Sequence, residues 1–303
     1  MSDLIRTGVA GESPIGFQGP AAALGVVFIW ATWLVAMRMG AHSSLSALDL
    51  SLIRFGIPAL LLAPVVLRTG LLPKGVSPLL IALMVIGSGA PFFYVVAYGM
   101  RYTPASAAGV LLPGIMPLAT ALIGIAVLGE RPDWLRKIGM AAISGGGVML
   151  LAGRPDDAQL TWISWAILPA CATLWAIYTH AFRRTGLDAF QGAALVTAWS
   201  TLINLALLPF VGSGLMMAGF DEVGPQLMMQ GILSGLLSTV LYGVAINRLG
   251  GTRAAAFTAA TPVAAILGGF AVLGEAVNGW MIAAGLLTAC GVVLSTGLLS
   301  SRR

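Results

Sequence analysis

The chain has 303 residues, 58% of them hydrophobic and 9% charged, with a mean hydropathy of +0.94. Soluble domains carry about 25% charged residues, so this chain lacks the polar surface to cover itself in water, and its main solvent is lipid. The net charge of +5 does not call for nucleic acid in so apolar a chain; where each charge falls along the membrane normal matters more than the sum.

Residues 1–17, MSDLIRTGVAGESPIGF, read as a mobile cytoplasmic tail, without the apolar core of a signal peptide. A helix needs about 20 apolar residues to cross the hydrocarbon core. Ten such spans are expected, at 18–40, 46–68, 77–100, 105–129, 134–152, 161–183, 188–211, 224–248, 252–274 and 278–299. The first repeat would cover 18–152 and the second 161–299, an all-α polytopic membrane protein with no soluble domain.

On the first span, Trp30, Trp33 and Met37 share a helical face. On the second, Arg54 is the arginine well inside a span; it either holds a substrate carboxylate, or snorkels outward, or pairs with Asp49. On the third, Gly87, Pro91, Tyr94 and Tyr98 follow spacings of four, three and four, which predicts one face. Pro91 kinks the third span, Pro113 and Pro117 the fourth, and Pro262 the ninth, each removing a backbone hydrogen bond. The pair Pro117 and Pro262 is the gating candidate. The fifth and tenth are rich in small residues, which suit close helix packing or a weak homodimer contact; a monomer fits equally.

On the sixth span, Cys171, Trp175, Tyr178 and Phe182 share a face, and His180 lies near the inner end. His180 either meets substrate or bonds a headgroup or backbone carbonyl. On the eighth, Ser234, Ser238 and Tyr242 share a face; the hydroxyls either line a polar route or bond back to their own helix. The expected substrate-lining set is Trp30, Trp33, Tyr94, Tyr98, Trp175, Tyr178, His180, Ser238 and Tyr242, rings that suit a flat organic molecule. An interfacial aromatic belt is the plainer explanation for any Trp or Tyr. Cys171 and Cys290 sit in apolar runs and suggest packing, not a disulfide. No cofactor or metal motif is evident.

Lys and Arg set the orientation. With the N-terminus inside, twelve fall in cytoplasmic segments, three (Arg38, Arg101, Arg154) outside, and Arg54 within a span. Both termini are then cytoplasmic in the inner membrane.

The five residues AVLGE occur at 126–130 and at 271–275. Sliding the chain by 145 aligns Gly109–Glu130 with Ala254–Glu275 at nine of 22 positions, Pro117 with Pro262, Arg38 with Arg183, and Trp30-Ala31 with Trp175-Ala176. Five spans per half is odd, so the halves are inverted, an architecture of many secondary transporters.

The two stretches YGMRYTPASAAGVLLPGIMPLATALIGIAVLGE and YGVAINRLGGTRAAAFTAATPVAAILGGFAVLGE resemble the EamA repeats of the drug/metabolite transporter superfamily, and within it the YddG-like exporters of aromatic amino acids. The resemblance implies export of small organic metabolites, aromatic amino acids among them, by alternating access. Export of drug-like cations or other amino acids is the alternative. No span centre carries Asp or Glu, which favours facilitated diffusion or exchange over a buried carboxylate switch. An enzyme is not expected, because HExxH, GxSxG and CxxC are all missing.

Overall fold

A computed structural model describes residues 17–153, 161–249 and 251–297, and the regular structure among them is helical throughout. The expected tail, apart from Phe17, lies outside the described residues. In chain order the helices are α1 (Gln18–Ala41), α2 (Ala47–Leu61), α3 (Ala63–Thr69), α4 (Pro78–Ser88), α5 (Ala90–Met100) and α6 (Ala105–Gly109), which a wide π-type turn at Val110–Gly114 joins to α7 (Met116–Leu128). Then follow α8 (Trp134–Ala152), α9 (Trp162–Thr185), α10 (Ala189–Val211) and α11 (Phe220–Gln226), the last continuing through π-type turns at Leu227–Leu237 into α12 (Ser238–Leu249). Finally α13 (Gly251–Phe257) is joined by a 3-10 turn at Thr258–Ala260 to α14 (Thr261–Leu273), ahead of α15 (Gly279–Ser295).

Eight of these stretches are long and apolar enough to cross a membrane: α1, α4–α5, α6–α7, α8, α9, α10, α11–α12 and α13–α14. The pair α2–α3, bent by 66°, makes nine if it is one span, and α15 is a shorter apolar helix of 17 residues. The bend has a cause in sequence. Pro64 stands in the first turn of α3, and its ring can neither donate to nor pack behind a continuous helix.

The repeat is present in the backbone. Helices α7 and α14 each have 13 residues and start and end 145 positions apart. Each has proline in its first turn and ends in a left-handed glycine, Gly129 at φ 67° and Gly274 at φ 64°. The next amide in each copy closes the helix end: Glu130 N–H donates to Gly124 O at 3.0 Å and Glu275 N–H to Gly269 O at 3.1 Å, the helix-stop geometry that glycine permits. Asp133 and Asn278, also 145 apart, then cap α8 and α15 by accepting from Arg136 N–H and Met281 N–H, each at 2.9 Å. So AVLGE is written twice because one helix-stop is built twice.

Helices α8 and α15 pack on each other through their small residues. A β-carbon on Gly139 would lie 2.6 Å from Ser295 N and 2.7 Å from Gly291 O, and one on Gly291 would lie 2.7 Å from Gly139 O. The small faces thus serve a helix pair within the chain. Gly139→Ala therefore lowers the unfolding midpoint in detergent, at a cost of about 1–3 kcal/mol from overpacking. Gly147→Ala, whose added methyl meets nothing within 4 Å, is neutral or stabilises by up to about 1 kcal/mol. Equal midpoints for the two variants would refute this close approach.

Candidate functional site

A cavity with about 540 Å3 of empty volume, its open mouth included, lies where the two halves meet. Helix α1 contributes Trp30, Trp33 and Leu34; α2 contributes Arg54 and Phe55; Ser88, Phe92 and Phe93 come from the α4–α5 junction. Pro113 comes from the π-type turn and Met116 from the start of α7, and the second half adds Trp175 and Ser234.

The rings brace one another. Trp175 meets Trp30 edge-on at 6.3 Å, Phe92 at 5.8 Å and Tyr178 at 5.1 Å between centroids. Trp30 also meets Tyr242 at 5.9 Å, and Tyr178 stacks on Phe182 at 5.9 Å. Such pairs fix ring orientation better than aliphatic packing does. Trp33 donates its indole N–H to Gln230 Oε1 at 2.9 Å, and Gln230 in turn reaches Met37 Sδ at 3.1 Å. Gln226 Nε2 donates to Ala36 O at 3.1 Å. These buried amides pin α1 to the end of α11 and to the irregular segment 227–237 after it, as polar side chains do between helices in lipid.

Of the expected set, Trp30, Trp33 and Trp175 line the cavity, while Tyr178 and Tyr242 stand behind Trp175 and Trp30. The other four lie elsewhere. Tyr94 donates to Asn204 Oδ1 at 2.6 Å, within a buried group that includes Ser51. Tyr98 is 46% exposed and pairs with Tyr102. His180 donates from Nε2 to Thr120 O at 3.0 Å, the backbone-carbonyl alternative. Ser238 bonds back to Ser234 O at 2.7 Å.

The reason for the shift on the third span is Gly89. Its ψ of −152° interrupts the helix between α4 and α5, so the phase counted from Gly87 does not carry through to Tyr94 and Tyr98. After the break, Phe92 and Phe93 take the cavity side. The break leaves the Ala90 amide without a partner in its own helix, and Ser200 Oγ accepts from it at 3.0 Å. A side chain at Gly89 would sit 2.4 Å from that same hydroxyl. Pro117 and Pro262 both stand in the first turn of their helices, directly after the π-type and 3-10 turns, where a missing N–H costs little.

Arg54 is the other departure. Asp49 does not pair with it, being held by Ser46 Oγ, Ser46 N–H, Ser213 Oγ and Gly214 N–H. The guanidinium lies over the Trp33 ring at 5.5 Å, and its Nη1 is buried with no hydrogen-bond partner.

The two ends of the bundle differ. At one, Glu275 accepts from Ala105 N–H at 2.7 Å and Ser106 N–H at 2.9 Å, capping α6. Buried Arg38 donates to Met100 O at 2.7 Å and Arg101 O at 2.9 Å, capping α5. Helices α6 and α14 are in close contact there: a β-carbon on Gly109 would lie 2.5 Å from Ala265 Cβ. Partial burial, and after it the charges of Arg38 and Arg101, hold the nearby His42 imidazole below the ordinary histidine range. At the other end, the counterparts Glu130 and Arg183 are exposed. Helices α7 and α13 make no packing there comparable to α14 on α6 among the described residues.

Residues 18–152 and 160–297 each match the EamA-like transporter family. The chain belongs to this family. It is therefore a multi-pass membrane transporter of the drug/metabolite superfamily with a small-molecule substrate, rather than an enzyme. It is 29% identical to a "Probable terminal-alkyne amino-acid exporter" of Streptantibioticus cattleyicolor, over 91% of this chain and 93% of that one. It is 26% identical to a "Probable amino-acid metabolite efflux pump" of Salmonella typhimurium, over 90% and 93%. A crystal structure 18% identical in sequence shares the fold, at a TM-score of 0.63 over 94% of this EamA-like chain and 99% of the other.

The polar group around Asn204 stabilises the bundle without touching the cavity. Tyr94→Phe costs about 0.6 kcal/mol, the mean for a side-chain hydrogen bond in a membrane. Asn204→Leu, which strips partners from both Tyr94 and Ser51, costs roughly twice that. Unfolding midpoints in detergent check both values, and a Tyr94→Phe midpoint equal to the wild type would show that the bond is not formed.

Proposed function

We propose that this EamA-like transporter exports small organic metabolites, aromatic amino acids in particular, across the inner membrane by alternating access. One observation carries the reading: a motif written twice in the sequence is engaged at one end of the bundle and disengaged at the other. Glu275 and Arg38 seal their end, while Glu130 and Arg183, their counterparts by the 145-residue offset, are exposed. Exchange of the two arrangements between the halves would open the cavity to one side and then the other, as inverted repeats do.

In this reading all ten segments span the membrane, with α2–α3 and α15 completing the eight full-length spans. Both termini are cytoplasmic, so the sealed end faces outward and the structure is open inward. In the opposite state Glu130 caps the helix that starts at Gly251, which corresponds to Ser106. The aromatic substrate class is supported by the ring-lined cavity and by relatives whose names carry amino-acid export. The cavity lining includes no carboxylate, which supports facilitated diffusion or exchange over proton coupling.

Uptake of labelled L-tryptophan into proteoliposomes tests the substrate. The expected result is uptake that follows the tryptophan gradient and ignores a proton gradient; strict proton dependence would sink the uncoupled mechanism. The exchange of ends has its own test. In a chain with Cys290 replaced by alanine, Thr103→Cys places a thiol at the sealed end, where Thr103 is buried. Glu275→Ala then speeds its labelling by an impermeant thiol reagent about tenfold or more, the loss of two charge-assisted bonds. Glu130→Ala does not speed that labelling, because it removes a cap of the opposite state, and it slows transport. Unaltered transport in Glu130→Ala would remove the exchange.

A further inference from the structure

Arg54 is a cation in an aromatic setting, and no acidic residue lines its cavity among the described residues. Its guanidinium lines the cavity, one face covered by Trp33 at 5.5 Å. Among the described residues Nη1 is buried without a hydrogen-bond partner, and so is Ser234 Oγ, whose residue also lines the cavity. The nearest candidate counter-ion in sequence, Asp49, is fully engaged with Ser46, Ser213 and Gly214. A buried charge is retained in lipid only where something pairs with it, and a ring face offsets only part of its lost hydration.

The geometry points to Arg54 as the anchor for an anionic group on the transported molecule, a carboxylate attached to a flat apolar body. The planar guanidinium fork matches a carboxylate in two parallel bonds. Trp30 and Trp175, which also line the cavity, offer rings to the apolar part, and Ser234 Oγ supplies one more donor. An ammonium group has no acidic partner among the lining residues. The cavity therefore selects for the acid end of its substrate: aromatic carboxylates without an amine bind, and aromatic amines without a carboxylate do not. The assignment deepens the transport reading above and rests on the cavity being the substrate site.

Isothermal titration of the full chain in detergent tests it with three indoles of one ring system: indole-3-propionate, tryptamine and 3-methylindole. Wild type binds indole-3-propionate about tenfold or more tighter than the other two, the scale of a charge-assisted pair. Arg54→Gln abolishes that preference, whereas Arg54→Lys, a point charge without the fork, keeps part of it. Equal binding of indole-3-propionate by wild type and Arg54→Gln overturns the assignment. So does tighter binding of tryptamine by wild type, an outcome that needs no variant to fold. Tryptophan uptake in proteoliposomes separates this idea from the reading it rests on. A carboxylate preference that depends on Arg54, without tryptophan uptake, keeps the anchor and discards aromatic amino acids as cargo. Tryptophan uptake undiminished in Arg54→Gln keeps the cargo and discards the anchor.

Discussion

In hydrocarbon there is no water to complete a broken hydrogen bond, so each backbone amide or carbonyl left over at a helix break needs a partner from the protein, at a cost of several kcal/mol if none is found. That constraint organises this molecule. Its helices break at Gly89 and again between Met100 and Ala105, and the partners come from elements distant in the chain. Ser200 of α10 takes the Ala90 amide. Glu275, just past the end of α14, takes the amides of Ala105 and Ser106, and Arg38 the carbonyls of Met100 and Arg101. Each break thus becomes a tie between elements far apart in sequence.

The cavity follows from the same breaks. A continuous helix through residues 78–100 would put Tyr94 on the face that begins at Gly87. The interruption at Gly89 instead turns Phe92 and Phe93 inward and hands Tyr94 to Asn204. The π-type turn places Pro113 and Met116 on the wall. What remains between the bent segments is lined by rings that brace one another, with Arg54 and a few hydroxyls as its polar content.

Much of this was legible in the sequence because it depends on composition and repetition. The apolar runs, the family and the paired helix-stops at Gly129 and Gly274 needed only counting and one offset. Trp30, Trp33 and Trp175 were legible for the same reason, since they sit on helices α1 and α9 that run unbroken and keep a 3.6-residue phase. The positions of Tyr94 and Tyr98 were not, because periodicity assumes a continuous helix. The G-A-P at 89–91 is the only local sign of the reset. Gln226, Gln230 and Asn204 carry a signal of their own, as amides within apolar spans, but their partners on distant helices are set by the fold. Arg54 was visible as a residue, but its freedom from Asp49 depends on Ser213 and Gly214, about 160 positions away.

Two copies of one sequence need not adopt one environment, and the difference between them carries the mechanical content of the fold. Each AVLGE glutamate folds back over a glycine six residues earlier: a β-carbon on Gly124 or Gly269 would collide with Glu130 Oε2 or Glu275 Oε2. The carboxylate is thus held in the same local pose in both halves, whether or not a helix end is there to receive it. In the proposed exchange, an acceptor already in place loses little conformational freedom on capping its donors, so the balance between engaged and disengaged ends would rest on the helix end that moves. Local sequence sets the latch, and the packing of α6 on α14 against that of α13 on α7 sets which latch is closed.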